Sequence, residues 1–277
     1  MECVGDFYLN NFSLKRSSEF NDSAFNNITS IYEVVRIEKG IALFLESHLN
    51  RLFNSADISG FNINESYCDF EKLFAELINK NKIQNGKIKL IIQFGDDNSR
   101  NETDFFIYFT SHYFPTDEEY KFGVKTGLCK TVRINPNAKI LNTNARLIAN
   151  NTIAEKKLFE VLLLDQDGYI AEGSRSNVFF IKNNSVITPP AKDVLIGITR
   201  TNIINLCNKN NILLIEEKIH LKDLKDIDAV FISGTSLKVL PVNSIDEFSF
   251  DTQHYLLKSL LKLYNQLVAD YIKERLT

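Results

Sequence analysis

The 277-residue chain carries 32 Lys and Arg against 35 Asp and Glu, a formal charge of −3, with 44% hydrophobic and 24% charged residues. That is the make-up of a globular protein of one large or two modest domains, and it excludes a broad basic surface for nucleic acid. The four cysteines, at 3, 68, 129 and 207, show no CxxC spacing, so neither a zinc site nor a disulfide frame is expected, and reduced thiols fit a cytoplasmic setting. No apolar stretch reads as a signal peptide or reaches bilayer length, which predicts no membrane span.

Taken in chain order, residues 1–30 are rich in Asn and Ser, with a short strand expected near 7–9 and a surface segment after it. The run Ile31-Tyr-Glu-Val-Val-Arg-Ile37 predicts a strand that turns at Glu38-Lys-Gly40 and returns over 41–45 as a hairpin. Ser47 is placed to cap a helix with Leu49, Leu52, Phe53 and Ala56 inward, and His48 and Arg51 fall three apart on one face. A second helix is expected over 67–79, then strands at 86–94 and 103–110 around a polar turn at 95–101. The first 110 residues thus read as α+β.

The stretch 115–123, with Pro115 and an acidic run, reads as an interdomain linker between an N-terminal domain (1–114) and a C-terminal domain (124–277). Beyond it, strands broken at Gly127 are expected over 124–133. A helix follows over 144–158, with Leu147, Ile148, Ile153 and Ala154 inward. A strand at 160–165 leads into a meander at 169–173, 178–182 and 185–188. A helix at 199–209, strands at 212–219 and 229–233, and a long terminal helix over 254–275 complete the chain. The C-terminal half reads as mixed β with helices.

The residues with chemistry cluster between Lys139 and Arg200. Gly197-Ile198-Thr199-Arg200 opens a helix after a loop, so free N–H groups, the positive helix end and the Thr199 hydroxyl converge on one point suited to a phosphate. Ser233-Gly-Thr235-Ser236, following a strand, is a second nest of backbone and hydroxyl donors. Lys139, flanked by Ile140, Leu141 and Asn142, is suited to a desolvated amine that forms an imine. Glu172 ends a strand where a carboxylate could face a pyridine nitrogen, and Arg51 has the fork to clamp phosphate. Taken singly, each has an ordinary explanation as a cap, a turn or a surface charge. Together they are the groups that a pyridoxal phosphate site needs.

The ordered blocks Tyr32-Glu-Val-Val-Arg, His48-Leu-Asn-Arg51-Leu, Lys139-Ile-Leu-Asn, Asp-Gly-Tyr-Ile-Ala-Glu172-Gly-Ser-Arg175-Ser-Asn, Leu195-Ile-Gly-Ile-Thr-Arg200 and Phe231-Ile-Ser-Gly-Thr235-Ser closely resemble the class IV (fold type IV) aminotransferase family. That family includes branched-chain aminotransferases, D-amino acid aminotransferases and aminodeoxychorismate lyases. The resemblance implies a two-domain α/β (α+β) fold with pyridoxal 5'-phosphate between a smaller N-terminal and a larger C-terminal domain, and a homodimer. It implies Lys139 as Schiff-base lysine and proton shuttle, Glu172 opposite the pyridine nitrogen, and Arg51, Ile198, Thr199 and Thr235 around the phosphate.

The activity so implied is ping-pong transfer of an amino group between an amino acid, branched-chain or D, and a 2-oxo acid. A carbon–carbon lyase and a non-catalytic cofactor-binding relative remain the alternatives. Tyr32 matches a substrate-pocket tyrosine of the D-amino acid enzymes, whereas their Arg-Gly-x-x-x-Arg block is replaced by Gln93-Phe-Gly-Asp-Asp-Asn-Ser-Arg100. Arg175, where relatives carry a small residue, is a candidate for the substrate carboxylate.

Overall fold

Strong alternation and β-branched content make strands, gathered into two sheets, the commonest element of the described chain. The computed structural model describes residues 2–21, 25, 29–95, 103–141 and 143–276. It divides into one unit of Met1–Tyr113, Ala138–Leu141 and Asp270–Thr277 and a second of Phe114–Asn137 and Asn142–Ala269.

In the first unit, strands β1 (Cys3–Asn10), β2 (Ser13–Arg16), β3 (Ser30–Glu38), β4 (Ile41–Ala42), β5 (Gly86–Phe94) and β6 (Thr103–Thr110) form one sheet in the order β2-β1-β6-β5-β3-β4. All of its pairings are antiparallel. On β3 the odd-numbered residues Ile31, Glu33, Val35 and Ile37 face the core, as a period of two demands. Two helices, α1 (Leu45–Ser59) and α2 (Tyr67–Asn81), supply Leu49, Leu52, Ala56, Phe70, Leu73, Phe74 and Leu77 to that same core. Helix α2 starts with a capping box between Ser66 and Asp69.

Two expectations differ here. The return strand stops at Ala42, and α1 begins at Leu45 without a Ser47 cap. Phe44 takes a left-handed conformation (φ 53°) that turns the chain straight into the helix, and its ring packs 4.5 Å from that of Tyr271. The segment after the first strand is not featureless surface: β2 pairs with β1 from Ser13 to Arg16. The turn expected over 95–101 falls almost wholly outside the described residues, as does Asn142.

The second unit opens with α3 (Asp117–Phe122), a helix closed by a Thr116/Glu119 capping box, in place of the linker expected at 115–123. The acids read as a linker signal are the first turn of that helix, where they favour its positive end. Its sheet comprises β7 (Val124–Lys130), β8 (Glu160–Leu164), β9 (Tyr169–Gly173), β10 (Asn177–Lys182), β11 (Ser185–Thr188), β12 (Leu214–Glu216), β13 (Ile219–His220), β14 (Ala229–Gly234), β15 (Lys238–Ile245) and β16 (Phe248–Ser249). The order is β12-β11-β10-β14-β15-β7-β8-β9-β13, with β16 on β15.

The single strand expected at 212–219 is in fact split, and the split shapes the sheet. β12 lies on one edge and β13 on the other, only two residues apart in sequence, so the sheet must curl until its edges approach. Strand β15 has no counterpart among the sequence-based expectations, because Pro241 within it argues against a central strand. Strand β7 runs unbroken through Gly127, where a Cβ would stand 2.6 Å from Leu158 Cδ1 and 2.9 Å from Asp246 Oδ1; the glycine serves close approach, not a break.

Helices α4 (Asn144–Lys156), α5 (Ile198–Lys209) and α6 (Tyr255–Leu276) complete the fold. On α4 the buried residues are Ala145 and Ala149, whereas Leu147 and Ile148, expected inward, are 61% and 46% exposed. On α6 the buried residues include Leu256, Leu257, Leu260 and Tyr264. No described helix is long and apolar enough to cross a membrane.

Candidate active site

In the first unit the site is built on β3 and α1. Glu33 occupies an inward position between Ile31 and Val35, where an aliphatic residue would be expected, and it is fully buried. Its carboxylate is met from α1. Arg51 donates through Nε to Oε1 at 2.7 Å and through Nη2 to Oε2 at 2.8 Å, and His48 Nδ1 lies 2.7 Å from Oε2. The helical spacing of 48 and 51 puts both on the face above the strand.

Burial alone would raise the Glu33 pKa, but the charge and hydrogen bonds of Arg51, reinforced by His48, hold the carboxyl well below the usual range. For His48, burial lowers the pKa, Glu33 raises it, and the Arg51 and Lys139 charges lower it further, for a net lowering. His48 is therefore neutral near pH 7 and donates from Nδ1. The outcome is one guanidinium held bidentately by Glu33, whose carboxylate is itself steadied by His48.

Lys139 stands beside this cluster. Residues 139–141 lie antiparallel to the start of β3: Tyr32 N donates to Lys139 O at 3.1 Å, Leu141 N to Ser30 O at 2.9 Å, and Ile31 bridges Ile140. Lys139 N donates to Ser55 Oγ at 3.2 Å, and Ser55 in turn donates to Arg51 O at 2.8 Å. The Lys139 amine lies 4.7 Å from the centre of the Tyr32 ring, a cation–π contact. The lysine expected on the C-terminal domain thus packs with the first unit, and with it come Tyr32 and Arg51.

In the second unit, Glu172 is 3% exposed at the end of β9. Arg133 Nη1 donates to its Oε1 at 3.1 Å, while Leu195 N (3.1 Å) and Asn177 Nδ2 (3.5 Å) donate to Oε2. Asn177 also donates to Leu195 O at 2.9 Å, locking the loop before α5. That loop ends in Gly197, where a Cβ would sit 2.0 Å from Asn177 Oδ1. Only glycine fits there.

Helix α5 starts at Ile198 with no side-chain cap, so its first N–H groups are left for another acceptor. Ile198 and Thr199 are buried, and Tyr264 Oη donates to Thr199 Oγ1 at 3.4 Å. At the end of β14, Ser233 Oγ is buried without a hydrogen-bond partner among the described residues, two positions before half-buried Thr235. An uncapped helix start and an orphaned hydroxyl suit a phosphate. Arg175 is exposed and donates to Asn150 Oδ1 at 2.7 Å.

Comparison with known proteins shows the family. Residues 30–245 match the amino-transferase class IV family. The chain belongs to the class IV aminotransferases. It is 28% identical to the D-alanine aminotransferase of Bacillus licheniformis over 235 residues, 82% of this chain and 83% of that protein. To a probable branched-chain-amino-acid aminotransferase of Rickettsia bellii it is 29% identical over 228 residues, 78% of each. The fold is that of the T.th. branched-chain amino acid aminotransferase solved with pyridoxamine 5'-phosphate, with a TM-score of 0.87 at 21% identity, covering 98% of this chain and 96% of that one.

The class IV aminotransferases are pyridoxal phosphate enzymes, and this chain is one of their transaminases. Of the residues around the candidate site, sequence reasoning missed the parts played by Glu33 and Arg133, and it named Ser233 only as one member of a donor block. Glu33 alone had a local signal, as a lone acid in the inward phase of an aliphatic strand.

Proposed function

We propose that the enzyme transfers the amino group of a branched-chain or D-amino acid to a 2-oxo acid, and that Lys139 carries the cofactor. The observation that carries this reading is Glu172, a buried carboxylate braced by Arg133, Asn177 and the Leu195 N–H. Such a braced acid is fit to hold a proton on a pyridine nitrogen. When bound, pyridoxal phosphate supplies an electron sink for the bonding pair left at the substrate's α-carbon.

The chain's own residues do the rest. Arg51, aimed by Glu33, and the Ile198 and Thr199 N–H groups with Thr235 hold the phosphate. Lys139 would hold the cofactor and, as a free amine, would take the proton from the substrate's α-carbon and pass it on instead of returning it there, as net amino transfer requires. The Tyr32 ring, 4.7 Å from that amine, would help to orient it. Tyr32 and Arg175 are assigned to the substrate.

The same reading makes the enzyme a cytoplasmic homodimer. Four free cysteines support the first part. The exposed Leu147 and Ile148 of α4, apolar side chains that a monomer would leave in water, support the second.

The test is a half-reaction screen. Purified enzyme with pyridoxal phosphate is mixed with both enantiomers of alanine, valine and leucine, and conversion to pyridoxamine phosphate is followed by absorbance. Conversion with at least one donor is expected. Release of pyruvate from an aminodeoxychorismate-like substrate without that conversion would overturn the reading.

A further inference from the structure

Tyr32 is shared by two lysines. Its ring centre lies 4.7 Å from Lys139 Nζ and 5.8 Å from Lys89 Nζ. Lys89 is only 12% exposed, although it sits on β5 with no helix-surface or loop reason to be there. Lysine is rarely so enclosed without a task.

What surrounds it is a carboxylate cradle. Lys89 Nζ donates to Glu2 Oε1 at 2.7 Å, and Tyr108 Oη donates to Glu2 Oε2 at 3.0 Å. Lys89 and Tyr108 are directly paired across β5 and β6, and the Lys89 ammonium stands 6.0 Å from the Tyr108 ring centre. Tyr108 is itself fully buried, packed 4.5 Å from the Phe20 ring. Donors on two central strands are thus enclosed, whereas the acceptor side chain of Glu2, which also accepts from Thr110 Oγ1 at 3.5 Å, is 35% exposed.

We propose that Lys89 and Tyr108 form the carboxylate-recognition site for the amino-acid and 2-oxo-acid substrates, and that the Glu2 carboxylate marks the place a substrate carboxylate takes. This rests on the reading of Lys139 as the reactive amine. Tyr32, touching both amines, then spaces the carboxylate anchor from the reacting nitrogen. Exchange of Glu2 for a substrate carboxylate keeps one negative charge on the buried ammonium, so the swap leaves no unpaired charge behind. It also supplies a cation for substrate binding in a chain that lacks the Arg-Gly-x-x-x-Arg block.

The experiment titrates cofactor-loaded enzyme with two non-reacting acids, 4-methylvalerate and glutarate, reading binding by calorimetry. Lys89→Met is expected to weaken binding about tenfold or more, as loss of a charged hydrogen bond implies. Lys89→Arg should restore most of it, and Glu2→Gln, by removing the competing carboxylate, should tighten it. Equal weakening of both acids assigns the cradle to the α-carboxylate; weakening of glutarate alone assigns it to a side-chain carboxylate. Unchanged binding in Lys89→Met, or weakening by both Lys89→Met and Glu2→Gln as a purely structural pair would give, overturns the proposal. Cofactor uptake at Lys139 is scored separately, so failure of that reading is told apart from failure of this one.

Discussion

The two units hold their functional groups by different physics. Around Glu33 in the first, direction comes from charge: one buried carboxylate takes three hydrogen bonds from Arg51 and His48, all within a strand and the helix that follows it. Around α5 in the second, direction comes from shape: a glycine no side chain can replace, an uncapped helix start, and an asparagine wedged between Glu172 and Leu195. A charged clamp tolerates small movements but not loss of its counterion. A shaped nest keeps its function under altered pH but not under an added methyl group.

The largest effect separating them should follow from Glu33→Ala. It removes the buried counterion of Arg51, and breaking such a pair costs about 3–5 kcal/mol. Denaturant unfolding of the cofactor-free protein measures the loss, and a loss below about 1 kcal/mol would mean that Arg51 is not held by charge. The same cluster makes the first unit acid-sensitive. Both Glu33 and His48 have folded pKa values below their unfolded ones, so each contributes stability that is full above the unfolded value and is lost as pH falls toward the folded one. Stability should therefore decline on acidification from near the ordinary histidine range downward. Glu33→Gln should flatten the part of that decline in the carboxylate range, as read from unfolding midpoints across pH.

Next in size is Gly197→Ala. Its methyl group meets Asn177 Oδ1, and forcing atoms into such a packed place costs about 1–3 kcal/mol. Cofactor affinity should fall with it and show little dependence on pH. A pH-dependent loss would contradict the contrast. Arg133→Met removes a charged hydrogen bond from Glu172 and should cost about 1.5–3 kcal/mol, seen as weaker cofactor binding in equilibrium dialysis. The smallest effect is expected from Arg175→Ala, whose exposed contact with Asn150 puts its stability change within about 0.5 kcal/mol. A rise in KM for the amino donor without loss of stability would keep Arg175 as a substrate residue, and an unchanged KM would remove it.

The same contrast explains what was legible in the sequence. Strands 86–94 and 103–110 stand at the predicted residues because alternation and bounding turn residues specify them locally. Lys139, Glu172, Ile198, Thr199 and Thr235 can be singled out as candidates because each lies in a short linear block. Their partners cannot. Arg133 meets Glu172 across 39 residues and Arg51 meets Glu33 across 18, and no periodicity encodes such pairings. Leu147 and Ile148 misled for another reason: their spacing marks an apolar face of α4, but spacing does not say what covers that face. The acidic run at 117–119 failed in the opposite sense, because a short capped helix and a polar linker use the same residues.

Lys139, held beside the charged clamp of the first unit, is expected to be the residue to which pyridoxal phosphate attaches. Borohydride reduction of the loaded enzyme, followed by digestion and mass analysis of the peptides, tests it most directly. The phosphopyridoxyl group is expected on the peptide containing Lys139, and none on the Lys139→Ala protein. Recovery of the group on another lysine, or its undiminished incorporation into Lys139→Ala, would contradict it.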